Sequence, residues 1–556
     1  MRSIFYLFIF IILVSSCSEK NKTFLTSEVT LLPKPTTLTL GEESFAFKEG
    51  YSVSIESDEQ KSAANYLINL IKNTTGFQLE LKEEGKALIT FSKVEGLEAE
   101  GYQLDITPKQ IVIKASDAAG YFYGVQSIQQ LLSKEVSTET NKEKWLVPSV
   151  VIEDAPRFKW RAYMLDESRY FHGETFVKQM LDQMALLKMN VFHWHLIDDA
   201  GWRIEIKKYP LLTEVGSKRA DSEIETWKSG KTSGVPHSGF YTQEQIKDIV
   251  AYAAERNITV VPEFEMPGHS SAAIASYTWL GTAGKDIDVP IKFGRLYDNY
   301  DVTKPEVIQF IKDVLTEMFA LFPSEVIHIG GDEVGYKVWE ESASVQKYMK
   351  ENGIKTPADL QIDFTNKISQ FMEQNGRRMM GWNEIMGVNI HKGFEEKKDD
   401  KAAETELAKN VVVHFWKGNL ALAQDAAKKG YGIVNSLHSN TYLDYSYKGI
   451  SLKKAYNFNP IPEGLEEKYH KNIYGLGCQM WSEWTPTNPD VERQTFPRIA
   501  AYAEVGWTQL ENKDYESFKV ALKKIQKHWD SLNINYFKDY EKVEAEIEAA
   551  RKKKAE

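Results

Sequence analysis

Two carboxylates stand side by side at Asp332 and Glu333, straight after a Val-Ile-His-Ile run at 326–329 and the glycine pair Gly330-Gly331. The run reads as a buried strand, and the glycines let the backbone turn sharply and let a ligand come close. The two acids are therefore expected at the rim of a sheet. Adjacent side chains in extended chain point to opposite sides, so this pair is not expected to flank one bond as an acid and a nucleophile would. One can donate a proton while the other holds a different part of a substrate. Taken by itself, an acidic pair at a strand end is most often simply solvated. What decides the matter is the residues at the other strand ends.

Past residue 155, strand and helix patterns alternate. Strand runs fall at 160–165, 190–196, 258–263, 325–330, 377–382, 411–416, 431–436 and 473–480, with helical stretches such as 174–188, 243–256, 305–321, 358–375, 419–430 and 492–505 between them. Eight such runs, with no sequence repeat and no nucleotide-type GxGxxG turn, predict an α/β fold, a (β/α)8 TIM barrel. Its working face is the carboxyl end of the strands. Just past successive runs stand Arg169; His195 with Asp198 and Asp199; Glu263, Glu265 and His269; Asp332 and Glu333; Trp382 and Glu384; Trp416; Tyr442 and Asp444; Trp481 and Glu483. Polar and aromatic side chains thus recur wherever the fold would present them to a ligand.

The barrel is assigned to 155–510, after a boundary at Asp154-Ala155-Pro156-Arg157. Ahead of it, 30–154 reads as a smaller α+β domain, with helices at SAANYLINLIKNTTG and AAGYFYGVQSIQQLL and two alternating runs in GYQLDITPKQIVIKAS. After it, the Lys/Glu-rich segment 511–556 reads as a solvated helix packed on the barrel's outside. Residues 1–17, MRSIFYLFIFIILVSSC, combine an early Arg, an apolar run and small residues before a cysteine, an export signal too short to span a membrane. Its end resembles a lipoprotein box that would leave Cys17 as a lipidated first residue, with 18–29 as a polar tether. The expected location is the periplasm or surface of a bacterium, with membrane contact only through that lipid. Cys478 is the one other cysteine, so no disulfide is expected, and it reads as a buried thiol. A net charge of −11 argues against nucleic acid as a partner. The 12% aromatic content suits sugar rings, although a large core would account for it equally.

With these residues in order, the chain resembles glycoside hydrolase family 20, the β-N-acetylhexosaminidases, over nearly all of its length. The motifs that carry the resemblance are LDESRYF at 165–171, NVFHWHLIDDAGWRIEI at 190–206, VVPEFEMPGHS at 260–270, HIGGDEV at 328–334, GWNE at 381–384 and QMWSEW at 479–484. The resemblance implies retaining, exo-acting hydrolysis of terminal N-acetylhexosamine by substrate-assisted catalysis, with no cofactor and no metal. It implies that Glu333 is the general acid and base and that Asp332 orients the substrate's acetamido group and stabilises an oxazolinium ion. Arg169 and Glu483 would hold sugar hydroxyls, and Trp382, Trp416 and Trp481 would wall the acetamido group and ring. Tyr442 would donate to the acetamido carbonyl, with Asp444 near it, and His269 paired with Asp198 or Asp199 would buttress Glu333. The chain departs from the family's usual pattern in having Glu265 where Asp is common and Ala200 where Gln is common. Neither touches the acid or its aspartate.

Two other readings compete. His193 and His195 face the same way on a strand, and a His-x-His followed by aspartates is also how metal-dependent amidohydrolases hold their metal. Further ligands are not evident, because His328 and His414 should point into the core. A non-catalytic sugar-binding lipoprotein on the same fold is the other reading, against which stands the presence of both Asp332 and Glu333.

Overall fold

Eight parallel strands close into a barrel in chain order: β1 (Trp160–Asp166), β2 (Val191–His195), β3 (Thr259–Glu263), β4 (Val326–His328), β5 (Arg378–Trp382), β6 (Val412–Phe415), β7 (Gly432–Asn435) and β8 (Ile473–Met480). Closure comes from β8 pairing with β1, Cys478 lying opposite Tyr163. This computed structural model describes residues 21–83, 85, 87–136, 143–294, 298–387 and 403–555. The expected export signal and Cys17 lie outside those residues.

Alternate residues of a strand share a face, and here that period divides the barrel interior into layers. Ala162, Val191 and Val261 pack together low in the barrel, beside a second group of Met380, Val412 and Val434, with Trp160 and Val326 against both. Two residues further along the same strands come His193, Glu263, His328, Trp382 and His414, each almost or wholly buried. Oily side chains therefore fill the amino end, and paired polar groups fill the carboxyl end.

Helices α1 (Glu174–Leu186), α2 (Gln243–Ala254), α3 (Pro305–Leu321), α4 (Pro357–Gln374) and α5 (Leu420–Lys428) lie between strands. The helix expected over 492–505 is in fact two, α6 (Asn488–Thr495) and α7 (Arg498–Trp507). Pro497 forces the break, since a residue before proline is driven from helical geometry and Phe496 has ψ 132°. The tail also differs from the single solvated helix expected. It forms α8 (Tyr515–Ser531) and α9 (Tyr540–Ala555), and α8 buries Phe518, Leu522, Ile525 and Trp529.

The preceding domain is a mixed eight-stranded sheet carrying the helices Lys61–Thr75 and Ala118–Leu131. Its packing begins inside the expected tether, because Phe24 and Val29 belong to the buried core and Asn21 donates to the Ser44 carbonyl. Among the described residues no helix is long and apolar enough to cross a membrane.

One buried ion pair joins the two domains. Lys188, which follows α1, places Nζ 2.9 Å from Asp154 Oδ2 and 2.8 Å from the Tyr102 hydroxyl. The Trp507 indole N–H donates to the same aspartate at 3.0 Å, and the Thr36 amide does so at 3.0 Å. Burial lowers the Lys188 pKa against the pull of Asp154. Removing one partner of such a pair strands the other charge, at a cost of about 3–5 kcal/mol. Lys188→Met is therefore expected to lower stability by that amount, read as a lower midpoint in urea and thermal unfolding.

Candidate active site

The site is built where the strands end, and its backbone is bent to build it. Gly330 and Gly331 have φ of 63° and 89°, and Glu333 itself has φ of 50°. A non-glycine residue in that left-handed region is uncommon and strained, and such residues cluster at functional sites. His269, in the loop after β3, also has a positive φ, 47°. The acid and the imidazole facing it are thus both held in the same unusual conformation.

This turn overturns the expectation that Asp332 and Glu333 diverge. That expectation assumed extended chain, whereas the left-handed turn brings both carboxylates round to one ring. His269 Nε2 lies 3.9 Å from Asp332 Oδ2 and 3.8 Å from Glu333 Oε2. Burial raises the Asp332 pKa to about 8, with Glu384 and Glu333 adding to it and His269 opposing. Among the described residues its Oδ1, though buried, has no hydrogen-bond partner.

Behind His269, charges alternate. His269 Nδ1 is 3.1 Å from both Asp198 Oδ1 and Asp199 Oδ2, so both aspartates reach it. Their other bonds separate them. Asp199 Oδ1 accepts from the Ser271 amide and hydroxyl, which anchors a neighbouring helix. Asp198 Oδ2 meets Arg169 Nη2 at 2.6 Å and His195 Nε2 at 3.1 Å. Asp199 is therefore a buried support of His269, and Asp198 is the aspartate that also ties the arginine to the histidine. Burial alone would lower the pKa of His269, but Asp198 and Asp199 raise it well above the usual range. His195 is likewise pushed up to about 10, as Glu263 and Asp198 outweigh burial. Asp166 completes this side by accepting from the Ser168, Arg169 and Ser482 amides.

Against Arg169 and His195 the site turns aromatic through Trp481. Trp382 lies 6.0 Å from Trp481 and 6.5 Å from Trp416, and Trp416 stacks on Tyr442 with rings 6.0 Å apart and 10° from parallel. Two indoles are pinned through their N–H groups: Trp382 to Glu263 Oε1 at 2.8 Å and Trp416 to Glu384 Oε2 at 2.9 Å. Asp444, half-buried, and Glu483, buried, lie beyond. Burial raises the Asp444 pKa, and it pushes Glu483 up to about 7 against Arg169.

The expected residues Arg169, His269, Asp332, Glu333, Trp382, Trp416, Tyr442, Asp444, Trp481 and Glu483 thus gather at one end of the barrel. Left out of that set were Glu263, His195, Asp166 and Glu384, which hold the others from behind. Strand period could have found three of them, since Asp166, His195 and Glu263 close β1, β2 and β3 on the inward face.

His193, Glu263 and His328 are close enough together to hold a metal ion, so a third ligand does exist where the sequence suggested none. The carboxylate is already engaged, however. Glu263 Oε2 has His195 Nδ1 at 2.5 Å and His193 Nε2 at 2.9 Å, while Oε1 takes the Trp382 N–H and faces His328 Nδ1 at 2.8 Å. Those nitrogens hold its pKa well below the ordinary range despite burial. An ionised carboxylate bonded to the His195 ring and to the Trp382 N–H, with two more imidazoles against it, is an electrostatic hub, and a cation there would have to displace them. The donor set does not fit a metal site.

Residues 158–510 match the family model described as "Glycosyl hydrolase family 20, catalytic domain", and residues 28–155 match that of "domain 2" of the same family. A beta-hexosaminidase of Porphyromonas gingivalis is 34% identical over 545 residues, 94% of this chain and 66% of that protein. A beta-hexosaminidase of Vibrio furnissii is 34% identical over 517 residues, 89% of this chain and 80% of that protein. The crystal structure of an exo beta-N-acetylglucosaminidase from Vibrio harveyi in complex with N-acetylglucosamine superposes with a TM-score of 0.79 at 30% identity, covering 94% of this chain and 80% of that one.

Glu265 occupies the space a side chain at 330 would need. A Cβ on Gly330 would stand 1.7 Å from Glu265 Oε2. Gly330→Ala is expected to cost more than the roughly 1–2 kcal/mol of a left-handed alanine. Adding Glu265→Asp, which withdraws one methylene, should restore the excess in urea unfolding.

Proposed function

Because the chain belongs to glycoside hydrolase family 20, we infer that it is a retaining, exo-acting β-N-acetylhexosaminidase that removes terminal N-acetyl-β-hexosamine from glycans or chito-oligosaccharides. The observation that carries this reading is the buried Oδ1 of Asp332 beside Glu333, which has no hydrogen-bond partner among the described residues. A carboxylate in that position accepts the acetamido N–H, which turns the carbonyl oxygen of the same group toward C1.

Glu333 donates its proton to the glycosidic oxygen as the acetamido oxygen attacks C1, and the C1–O bond breaks to give an oxazolinium ion. Its positive charge lies against Asp332. Tyr442 donates to the carbonyl oxygen and so holds it in line with C1. Glu333, now ionised, takes a proton from water as the water adds to C1 on the face the aglycone left, and the bond from C1 to the acetamido oxygen breaks to restore the amide. Two displacements give retention. His269, held by Asp198, supplies positive charge to both acids, and Arg169 and Glu483 are placed for the sugar's hydroxyls. A protein nucleophile is not needed, which sets this scheme apart from the two-carboxylate enzymes.

We propose further that the protein is exported and anchored through a lipid on Cys17. Cys17→Ser should move it from the membrane to the soluble fraction.

Hydrolysis of p-nitrophenyl N-acetyl-β-glucosaminide tests the activity. It should persist in excess EDTA, whereas loss on chelation would favour the metal reading. Glu333→Gln is expected to retain activity on the good nitrophenolate leaving group and to lose about 10²–10⁴-fold on chitobiose. Asp332→Asn is expected to lower activity on both, leaving a residual rate whose pH profile can be followed. Asp332 must be ionised to face the cation, and burial raises its pKa from 3.8 to about 8. Activity should therefore fall as pH drops through a group titrating well above the carboxylate range, and that acid limb in kcat/KM should vanish in Asp332→Asn. An unchanged limb would remove Asp332 from this role.

A further inference from the structure

Glu263 is 0% exposed, so no sugar in the pocket can touch it. It nevertheless fixes the pocket's wall. Its Oε1 accepts the Trp382 indole N–H at 2.8 Å, and one face of that indole stacks on His414 with centroids 4.1 Å apart and planes 18° from parallel. Edge and face are both constrained, so the ring can neither slide nor tilt. Hydrogen bonds to an ionised acceptor are the strong ones, and this acceptor is kept ionised by the imidazoles on its other side.

We propose that Glu263 is a positioning residue that sets the size of N-acyl group the enzyme accepts, acting through the indole of Trp382. The proposal rests on the reading of Trp382 as a wall of the acetamido pocket. A wall that cannot yield rejects one extra methylene by roughly 1–3 kcal/mol, or about 10–200-fold. A wall freed to shift gives up much of that discrimination.

Glu263→Gln separates this role from plain structural support. The amide keeps the size of the carboxyl group but has one oxygen to serve two sides. His195, with carboxylates at both ring nitrogens, claims that oxygen, and the amide NH₂ is left facing the Trp382 N–H. The anchor is lost while the volume is kept.

The measurement is kcat/KM on p-nitrophenyl glycosides of N-acetyl- and N-propionyl-glucosamine. Wild type should prefer the acetyl substrate by about 10-fold or more. Glu263→Gln should lower that ratio below about 3-fold, mainly by losing activity on the acetyl substrate. Trp382→Phe, which removes the N–H and leaves Glu263 in place, should lower it likewise, and the double variant should add little to either. Equal losses on both substrates in Glu263→Gln, with the ratio kept, would overturn the proposal. If that variant does not fold, an unchanged ratio in Trp382→Phe overturns it as well. Wild type inactive on the acetyl substrate would instead defeat the functional reading beneath it.

Discussion

The carboxyl end of this barrel is governed by the need to pair every charge that is taken out of water. Glu263, His195, Asp198 and His269 form a line of alternating sign that starts in the barrel's interior and ends at the two acids. An isolated buried carboxylate would surrender its charge. In this line each member holds its neighbour ionised, so Asp198 and Glu263 stay charged while His195 and His269 stay protonated. The same line fixes direction, because a ring with a carboxylate at each nitrogen has one orientation. Arg169 and Trp382 are both tied into it.

Such a line has to end where water and substrate can reach it, and the backbone supplies that end. Gly330 and Gly331 carry the chain out of β4, and Glu333 follows them in left-handed geometry. The strain is opposed by packing. Gly331 lies so close to Ile385 that a Cβ would stand 2.5 Å from its Cγ2, and Gln361 donates to the Gly331 carbonyl at 2.8 Å. Local conformational cost is met by contacts from the β5 loop and from α4, so the acid's position depends on those two segments as well as on its own turn.

Much of this was legible in the sequence. Period-two patterning placed all eight barrel strands to within about two residues of their observed ends, and the residues just past them include those that gather at the site. The misses have physical causes. Asp332 and Glu333 were expected to diverge because alternation holds only for extended chain, and backbone torsion cannot be read from residue type at a glutamate. Glu263 and His195 were noted at strand ends but not as supports, since a residue's tie to a partner 68 positions away appears only once strands are in register. Phe24 sits in a polar stretch whose composition says tether, and one phenylalanine reaching the core outweighs its neighbours. The helix break at Pro497 is a different case: its signal was in the sequence and was passed over.

The two departures from the family's usual pattern are absorbed by packing rather than by chemistry. Ala200 lies in a small apolar cluster with Tyr170 and Phe293, and Trp484 packs against it. Rings occupy the space there, and a longer amide would have to displace one of them. Glu265 reaches under Gly330 with an oxygen 3.4 Å from the Gly331 amide. Burial and the neighbouring Asp332 and Glu263 carboxylates raise its pKa well above the usual range, which disfavours its ionisation there. A third anion beside Asp332 and Glu333 would oppose ionisation of both. A neutral carboxyl group adds bulk beneath the turn without adding charge, which is why the longer side chain is compatible with the two acids it supports.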